Sequence, residues 1–270
     1  MASPGERSRI DVDTDDLIYE VEGPVAWLTF NRPHARNAMT WAMYDGLSAA
    51  CERVDADEAV RVFVLRGAGD QAFVAGTDIS QFQVFQTAED ALNYERTMNR
   101  HVSRLEAVHK PTIAMIRGYC AGGGAAMAVA CDLRLAAQDA KFGIPIARTL
   151  GNTLSAQNIA RLAGLIGPAR AKEILYTARF IEADEGKAIG LFNEVVEASR
   201  LESRATELAA LIAGHAPLTL RSVKENVRRL LEHGRIDESS DLYLMCYLSE
   251  DFREGVSAFL SKRAPQWKGK

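Results

Sequence analysis

Three consecutive glycines, Gly122-Gly123-Gly124, stand in the stretch GYCAGGGAAMAVACD (residues 118–132), at the mouth of an apolar run that reads as a helix. Glycine costs roughly 1 kcal/mol against alanine inside a helix, so a triplet there calls for a compensating reason. The first amides of a helix have no intrahelical partner and sit at the positive end of its dipole. With no β-carbon in the way, a ligand oxygen can approach such an amide closely. That is one half of an oxyanion hole, in which fixed donors stabilise the negative charge developing on a carbonyl oxygen. A second donor is offered by Phe73-Val74-Ala75-Gly76-Thr77-Asp78-Ile79, a loop placed after an earlier parallel strand, where two such loops can open into one crevice. Close packing of the helix on a neighbouring strand is an equally good account of Gly122 and Gly124 taken alone. A dinucleotide-binding turn matches poorly, because Met127 stands where the third glycine belongs and Asp132 and Asp139 come too early for a ribose contact. A phosphate loop is excluded, because Ala125-Ala126 follows where Lys-Ser/Thr is required.

The elements that must position these glycines follow from the local patterns. Leu17–Glu22 and Val25–Asn31 read as strands joined at Gly23-Pro24 into a hairpin. Thr40 offers an N-cap for an amphipathic helix through about Arg53. Val60–Arg66 reads as a buried strand, a helix follows from about Ala88 to Val108, and Lys110-Pro111 breaks it before the strand Thr112–Ile116. The triplet then leads into a helix ending near Ala130, and Leu133–Ala136 is again strand-like. Such alternation favours right-handed β-α-β crossovers and a largely parallel sheet. Beyond Ser155 the pattern turns almost wholly helical, through runs at 155–163, 168–177, 199–214, 217–232, 237–248 and 250–262. That tail needs a neighbour to cover it, and a second copy of the chain fits the need.

Composition narrows the partners. With 270 residues, 47% of them hydrophobic, the chain can bury a sizeable core, and its formal net charge of -4 argues against a nucleic-acid or anionic-membrane surface. The first residues, MASPGERSRIDVDTDD, are polar and acidic and read as a frayed N-terminus rather than a signal peptide. Cys51, Cys120, Cys131 and Cys246 lie far apart with no zinc spacing to the histidines, as expected of reduced structural thiols in a cytoplasmic protein that holds no metal.

Four ordered segments, NRPHARNAM (31–39), AFVAGTDI (72–79), GYCAGGGAAMAVACDLRLAAQDAKFGIP (118–145) and EDFREGVSAFLSKR (250–263), resemble the enoyl-CoA hydratase/isomerase family, the crotonase superfamily. The resemblance implies an α/β fold: a flexible N-terminus (1–15), a crotonase-like spiral of β-β-α turns (16–200), and a C-terminal helical trimerisation region (201–270), assembled as a trimer or a pair of trimers. It implies acyl-coenzyme A substrates, with coenzyme A entering as part of the substrate and no separate cofactor. It places the oxyanion-hole amides at Thr77 and Gly123. Arg36 and Ala38 fall where relatives run along the pantetheine and nucleotide, and Ala75 and Ile79 where relatives contact adenine. Phe259 and Lys262 match a pair that reaches the nucleotide of an adjacent subunit. Ser80 stands where relatives often carry a lysine near the ribose phosphate, so Lys262 or Arg36 is left to pair with it.

The same resemblance exposes a gap. Hydratases of the family use two glutamates, because one carboxyl of a pair can accept a proton while the other donates. Their positions here are Ala126, three residues after the middle glycine, and Ile146, just past FGIP. Neither can move a proton, and a slip of one residue finds only Ala125, Met127, Pro145 and Ala147. The following stretch, where a dehalogenase of the superfamily carries a nucleophilic aspartate, offers Asn152 and Thr153 and no carboxylate, so dehalogenation is not carried over. Arg148 is a candidate clamp for a substrate carboxylate, or else a surface or subunit-contact residue. Asn152 and Thr153 are candidates to orient a water, with capping of the next helix the simpler role. Asp78 can shape the hole, Asp132 can fix a turn, and Tyr94 and Asn99 can face the acyl pocket from the preceding helix, with plain packing or solvent exposure the simpler account of each of these last two. Two classes remain: an acyl-CoA enzyme with non-standard chemistry, decarboxylase- or isomerase-like, and a non-catalytic acyl-CoA binder. The enzyme is favoured, because an oxyanion hole has little purpose in a pure binder.

Overall fold

Short apolar runs alternating with amphipathic segments build two sheets wrapped by helices. A computed structural model describes residues 8–10, 14–84, 86–233 and 240–270. Its strands are β1 (Ser8–Ile10), β2 (Leu17–Glu22), β3 (Val25–Phe30), β4 (Val62–Gly67), β5 (Ala72–Val74), β6 (Thr112–Ile116), β7 (Tyr119–Ala121), β8 (Leu133–Ala137), β9 (Lys141–Gly143), β10 (Phe180–Glu182) and β11 (Glu194–Val196). Its helices are α1 (Trp41–Ala56), α2 (Ala88–Glu106), α3 (Gly123–Ala130), α4 (Ile146–Thr149), α5 (Ala156–Ile166), α6 (Pro168–Thr177), α7 (Ala183–Ala188), α8 (Leu201–Ala213), α9 (Pro217–His233), α10 (Ser240–Tyr247) and α11 (Glu250–Leu260).

One sheet runs β1-β2-β3-β4-β6-β8-β11 and the other β10-β9-β7-β5. Each turn of the chain therefore gives one strand to each sheet, β4 then β5, β6 then β7, β8 then β9, before a helix returns it. This is the expected spiral. The antiparallel β2–β3 hairpin closes at Gly23-Pro24, and every pairing from β3 through β4, β6 and β8 to β11 is parallel. In β3 the side chains of Ala26, Leu28 and Phe30 enter the main core, while Val25 and Trp27 enter a second core on the opposite face. A sheet buried on both faces explains why these strands are continuously apolar. Thr40 caps α1, its Oγ1 accepting from the amide of Met43 at 3.3 Å.

Three expectations change. The stretch 178–198, which the helical runs left unassigned within an almost wholly helical tail, carries β10 and β11, each three residues long and so too short to show a period. Ser8–Ile10, placed in the frayed N-terminus, pair antiparallel with β2, while residues 1–7 and 11–13 lie outside the described residues. The helix α8, assigned to the oligomerisation region, instead covers the outer face of the large sheet. Its Leu201, Ala205 and Ala209, one helical stripe, pack with Val62, Val64 and Leu135. The helices left outside the core are α9 to α11, whose Val223, Val227, Leu244 and Val256 are exposed.

Candidate active site

The segment 31–39 is held by one buried side chain. Asn37 adopts a left-handed conformation at φ 56°. Its amide donates to the carbonyls of Ala68 at 3.0 Å and Ala72 at 2.8 Å, and its Oδ1 accepts from the amide of Arg32 at 3.0 Å. This latches the segment to the β4–β5 turn and delivers Met39 to the loop after β5. There the Met39 amide donates to the Gly76 carbonyl and the Met39 carbonyl accepts from the Asp78 amide, both at 2.9 Å. Amides alternate in direction along an extended chain, so the N–H of Thr77, between those two residues, points the other way. Among the described residues it donates to nothing. Asp78 accepts from the hydroxyl of Ser80 at 2.7 Å and from Arg32 at 3.2 Å, bonds that hold its carboxyl below the usual range and fix the loop.

Each glycine of the triplet answers to a different constraint. Gly122 sits at φ 52° and ψ -116°, a conformation closed to other residues, and turns the chain from β7 into α3. Gly124 lies so close to β5 that a β-carbon would meet the Val74 carbonyl oxygen at 2.2 Å. Gly123 is the first residue of α3, and its amide likewise donates to nothing among the described residues. A β-carbon on Gly123 would meet the Tyr44 hydroxyl at 2.3 Å and the Thr77 hydroxyl at 3.2 Å. Packing therefore accounts for Gly124, backbone conformation for Gly122, and close approach for Gly123.

Tyr44, which the sequence reading did not single out, is the post between the two loops. It is buried on α1, and its hydroxyl lies 2.8 Å from Thr77 Oγ1 while abutting Gly123. Burial pushes this phenol, and that of Tyr94, up from the ordinary tyrosine value, so both stay neutral at neutral pH. Gly123→Ala is expected to lower stability by about 1–3 kcal/mol through overpacking against that hydroxyl. Tyr44→Phe in the same chain should recover most of the loss, because the next ring atom, Cζ, would lie 3.6 Å from the new methyl. Thermal unfolding of the two single variants and the double variant checks this; a double variant no better than Gly123→Ala rules the clash out.

Thr77 and Gly123 face a cavity of about 240 Å³ whose walls include Ala126, Ile146, Asn152 and Glu95. Four of the sequence-derived catalytic positions, Thr77, Gly123, Ala126 and Ile146, thus share one chamber with Asn152. Arg148 does not join them; it stands exposed on α4, outside the walls. Capping of α5 falls to Ser155, whose Oγ accepts from the Asn158 amide, which leaves Asn152 and Thr153 on the wall. Tyr94 lines the cavity, whereas Asn99 is engaged by the Ser155 hydroxyl at 2.5 Å. Asp132 accepts from the Thr112 amide at 2.7 Å, from its hydroxyl and from Lys224, and so ties α3 to β6 and α9.

Ala75 and Ile79 lie at the same cavity, with Ile79 more than half exposed at 55%. Arg36 is exposed with its guanidinium 5.6 Å from the centre of the Tyr119 ring, and the Ala38 carbonyl accepts from Arg32. Lys262 is exposed beyond α11; the side chain of Phe259 lies outside the described residues. Among the described residues no cluster of His, Cys, Asp or Glu could hold a metal, and no helix is long and apolar enough to cross a membrane. Burial pushes the thiols of Cys51 and Cys131 up to about 12, so neither is a thiolate nucleophile.

Glu95 is the carboxylate that the sequence reading missed. It projects from α2 into the cavity and makes no hydrogen bond or ion pair among the described residues. Desolvation pushes its pKa up from the usual glutamate value. A signal was available: Met98 and Val102 are the inward stripe of α2, and stepping back three and seven residues reaches Glu95.

Spiralling β-β-α turns, with Thr77 and Gly123 on the wall of one chamber, define a crotonase-type α/β protein. The family model for enoyl-CoA hydratase/isomerase matches residues 20–270. A short-chain-enoyl-CoA hydratase from Clostridium acetobutylicum is 36% identical over 93% of this chain and 97% of its own. A crotonyl-CoA hydratase from Syntrophomonas wolfei is 36% identical over 92% and 96%. The crystal structure of an enoyl-CoA hydratase/carnithine racemase from Magnetospirillum magneticum superimposes with a TM-score of 0.89 at 35% identity, covering 98% of this chain and 97% of that one. This chain belongs to the enoyl-CoA hydratase/isomerase family, whose members are enzymes.

Proposed function

We propose that the chain binds an acyl thioester of coenzyme A with the thioester oxygen between the amides of Thr77 and Gly123, and stabilises the enolate formed there. The observation that carries this reading is that Thr77 and Gly123, whose amides have no partner among the described residues, line one cavity. Fixed donors in such a site act where the charge develops and need no reorganisation. Relatives named for short-chain enoyl-CoA and crotonyl-CoA support the substrate class. Ala75 and Ile79 would border the adenosine end, Arg36 and Ala38 the pantetheine path, and Phe259 and Lys262 of an adjacent subunit the nucleotide. The exposed apolar side chains of α9 and α10 support assembly into trimers.

Hydration by a glutamate pair is not part of this reading, because a methyl group and a sec-butyl group stand at 126 and 146. Decarboxylation is poorly supported, since no cation lines the cavity among the described residues to hold a substrate carboxylate. A purely binding role has no use for a carboxylate left without a partner in the acyl chamber. Isomerase-like proton transfer is the reading that remains. Loss of the conjugated thioester absorbance of a short trans-2-enoyl-CoA tests the scaffold. The wild type should hydrate it slowly or not at all, and Ala126→Glu/Ile146→Glu should gain activity by at least about 100-fold, the range of a general acid/base pair. Fast hydration by the wild type would refute the reading.

A further inference from the structure

The cavity has one charged wall. Among the described residues, Glu95 is the one lining side chain that carries a formal charge, and it enters from α2, an element that contributes neither of the two amides nor the positions 126 and 146. Its neighbour Tyr94 places its hydroxyl at the Thr77 side chain, so this turn of α2 is held against the hole itself. The Ala126 methyl from α3 and the Ile146 side chain from α4 line the same cavity. Glu95 is half-buried, and a carboxylate partly withdrawn from water with no partner among the described residues is costly to a fold; such costs concentrate where chemistry needs them.

We propose that Glu95 is the proton carrier of this enzyme and that its reaction is double-bond migration in a β,γ-enoyl thioester. The proposal rests on the thioester lying in the amide pair, as argued above. The Glu95 carboxylate takes a proton from the carbon α to the thioester carbonyl; the C–H bond breaks and its electron pair passes into a dienolate whose oxygen is held by the amides of Thr77 and Gly123. The same carboxyl then gives the proton to the γ carbon, and the conjugated α,β-enoyl thioester forms. Protons and electrons balance with no second acid, no water and no redox partner. One carboxylate therefore suffices, as two would for hydration.

The other titratable groups facing the cavity are Tyr44 from α1 and Tyr94 from α2, both neutral; α3, α4 and the 152–155 loop bring no charge to it among the described residues. Activity should accordingly fall as the pH drops through a value above the ordinary glutamate range, because the base must be ionised. Stability moves oppositely. A carboxyl whose folded pKa lies above its unfolded one contributes stability that is complete below the unfolded value and lost as the pH rises through the folded one. Glu95→Gln should therefore raise the melting temperature at neutral pH, with the gain fading towards pH 4.

The experiment follows conversion of trans-3-hexenoyl-CoA to the conjugated thioester, together with deuterium uptake at the α carbon of butyryl-CoA in D2O. Wild type should do both, and Glu95→Gln should lose at least about 100-fold in each without loss of stability. The same substitution placed in Ala126→Glu/Ile146→Glu should leave the gained hydration intact, which separates the two readings. Wild-type rates in Glu95→Gln, or no isomerisation and no exchange by the wild type, would overturn the role of Glu95 while the engineered hydration keeps the hole. Failure of the engineered hydration as well would overturn the hole.

Discussion

Gly123→Pro/Tyr44→Phe should turn over its acyl-CoA substrate roughly 10²–10³-fold more slowly than Gly123→Ala/Tyr44→Phe, the range seen when one oxyanion-hole donor is removed. The comparison replaces a single N–H by the proline Cδ. Gly123 is the first residue of α3, the position where proline is best tolerated because its missing donor has no intrahelical acceptor. Its φ is not among the positive values of the chain, so the fixed proline angle meets no left-handed requirement there. Both double variants carry the same β-carbon, and Tyr44→Phe removes the hydroxyl that would lie 2.3 Å from it. What differs is the amide hydrogen, which donates to nothing among the described residues, and the proline ring carbon Cδ that stands in its place. The loss should fall on kcat more than on KM, because in the proposed reaction the donor meets charge that exists only once the enolate forms. Equal rates in the two variants would remove Gly123 from the hole and leave Thr77 without its partner.

The site was legible in the sequence where backbone geometry speaks through glycine, and obscure where side chains act at a distance. Gly76, Gly122, Gly123 and Gly124 mark the two loops because a β-carbon cannot be accommodated or a positive φ is required, and those demands leave the residue type itself as the record. Tyr44 left no such record: a tyrosine within an amphipathic helix reads as core, and only the fold shows its hydroxyl reaching Thr77 across 33 positions of sequence. Glu95 was hidden in a similar way, since a glutamate among Asn93, Arg96 and Asn99 reads as part of a solvated face. The larger fold was visible through the hairpin at Gly23-Pro24, the cap at Thr40 and the break at Pro111. The small sheet was not, because β5, β7, β9 and β10 have three residues each, less than two periods of a strand. The role of α8 escaped for another reason: its apolar stripe of Leu201, Ala205 and Ala209 does not say whether a sheet or a second subunit covers it.

Arg134→Met should destabilise the protein by about 3–5 kcal/mol, the cost of breaking a buried charged network. At roughly 2–4 °C per kcal/mol for a chain of this size, the melting temperature should fall by about 10 °C. Arg134 lies on β8 and is buried, yet no carboxylate pairs with it among the described residues. Its guanidinium donates to the carbonyls of Cys131 at 2.7 Å and Ala128 at 3.3 Å, which are the terminal acceptors of α3, and to the Leu191 carbonyl at 2.8 Å. Burial pulls its pKa down, but the negative end of the α3 dipole and these oxygens sustain the charge. Methionine would fill much of the volume and leave the carbonyls unmet, at about 1–3 kcal/mol for each buried group. Lysine would keep the charge without the planar fork, so Arg134→Lys should fall between the two. The site feels the same substitution. The helix whose last carbonyls Arg134 holds begins at Gly123 and ends at Ala130, and eight residues are too few to isolate one end from the other. Arg134→Met should therefore lose activity well below its melting temperature, as the amide of Gly123 drifts from its place opposite Thr77. Full activity at that temperature in a folded Arg134→Met chain would show that β5 and Tyr44 alone hold the hole.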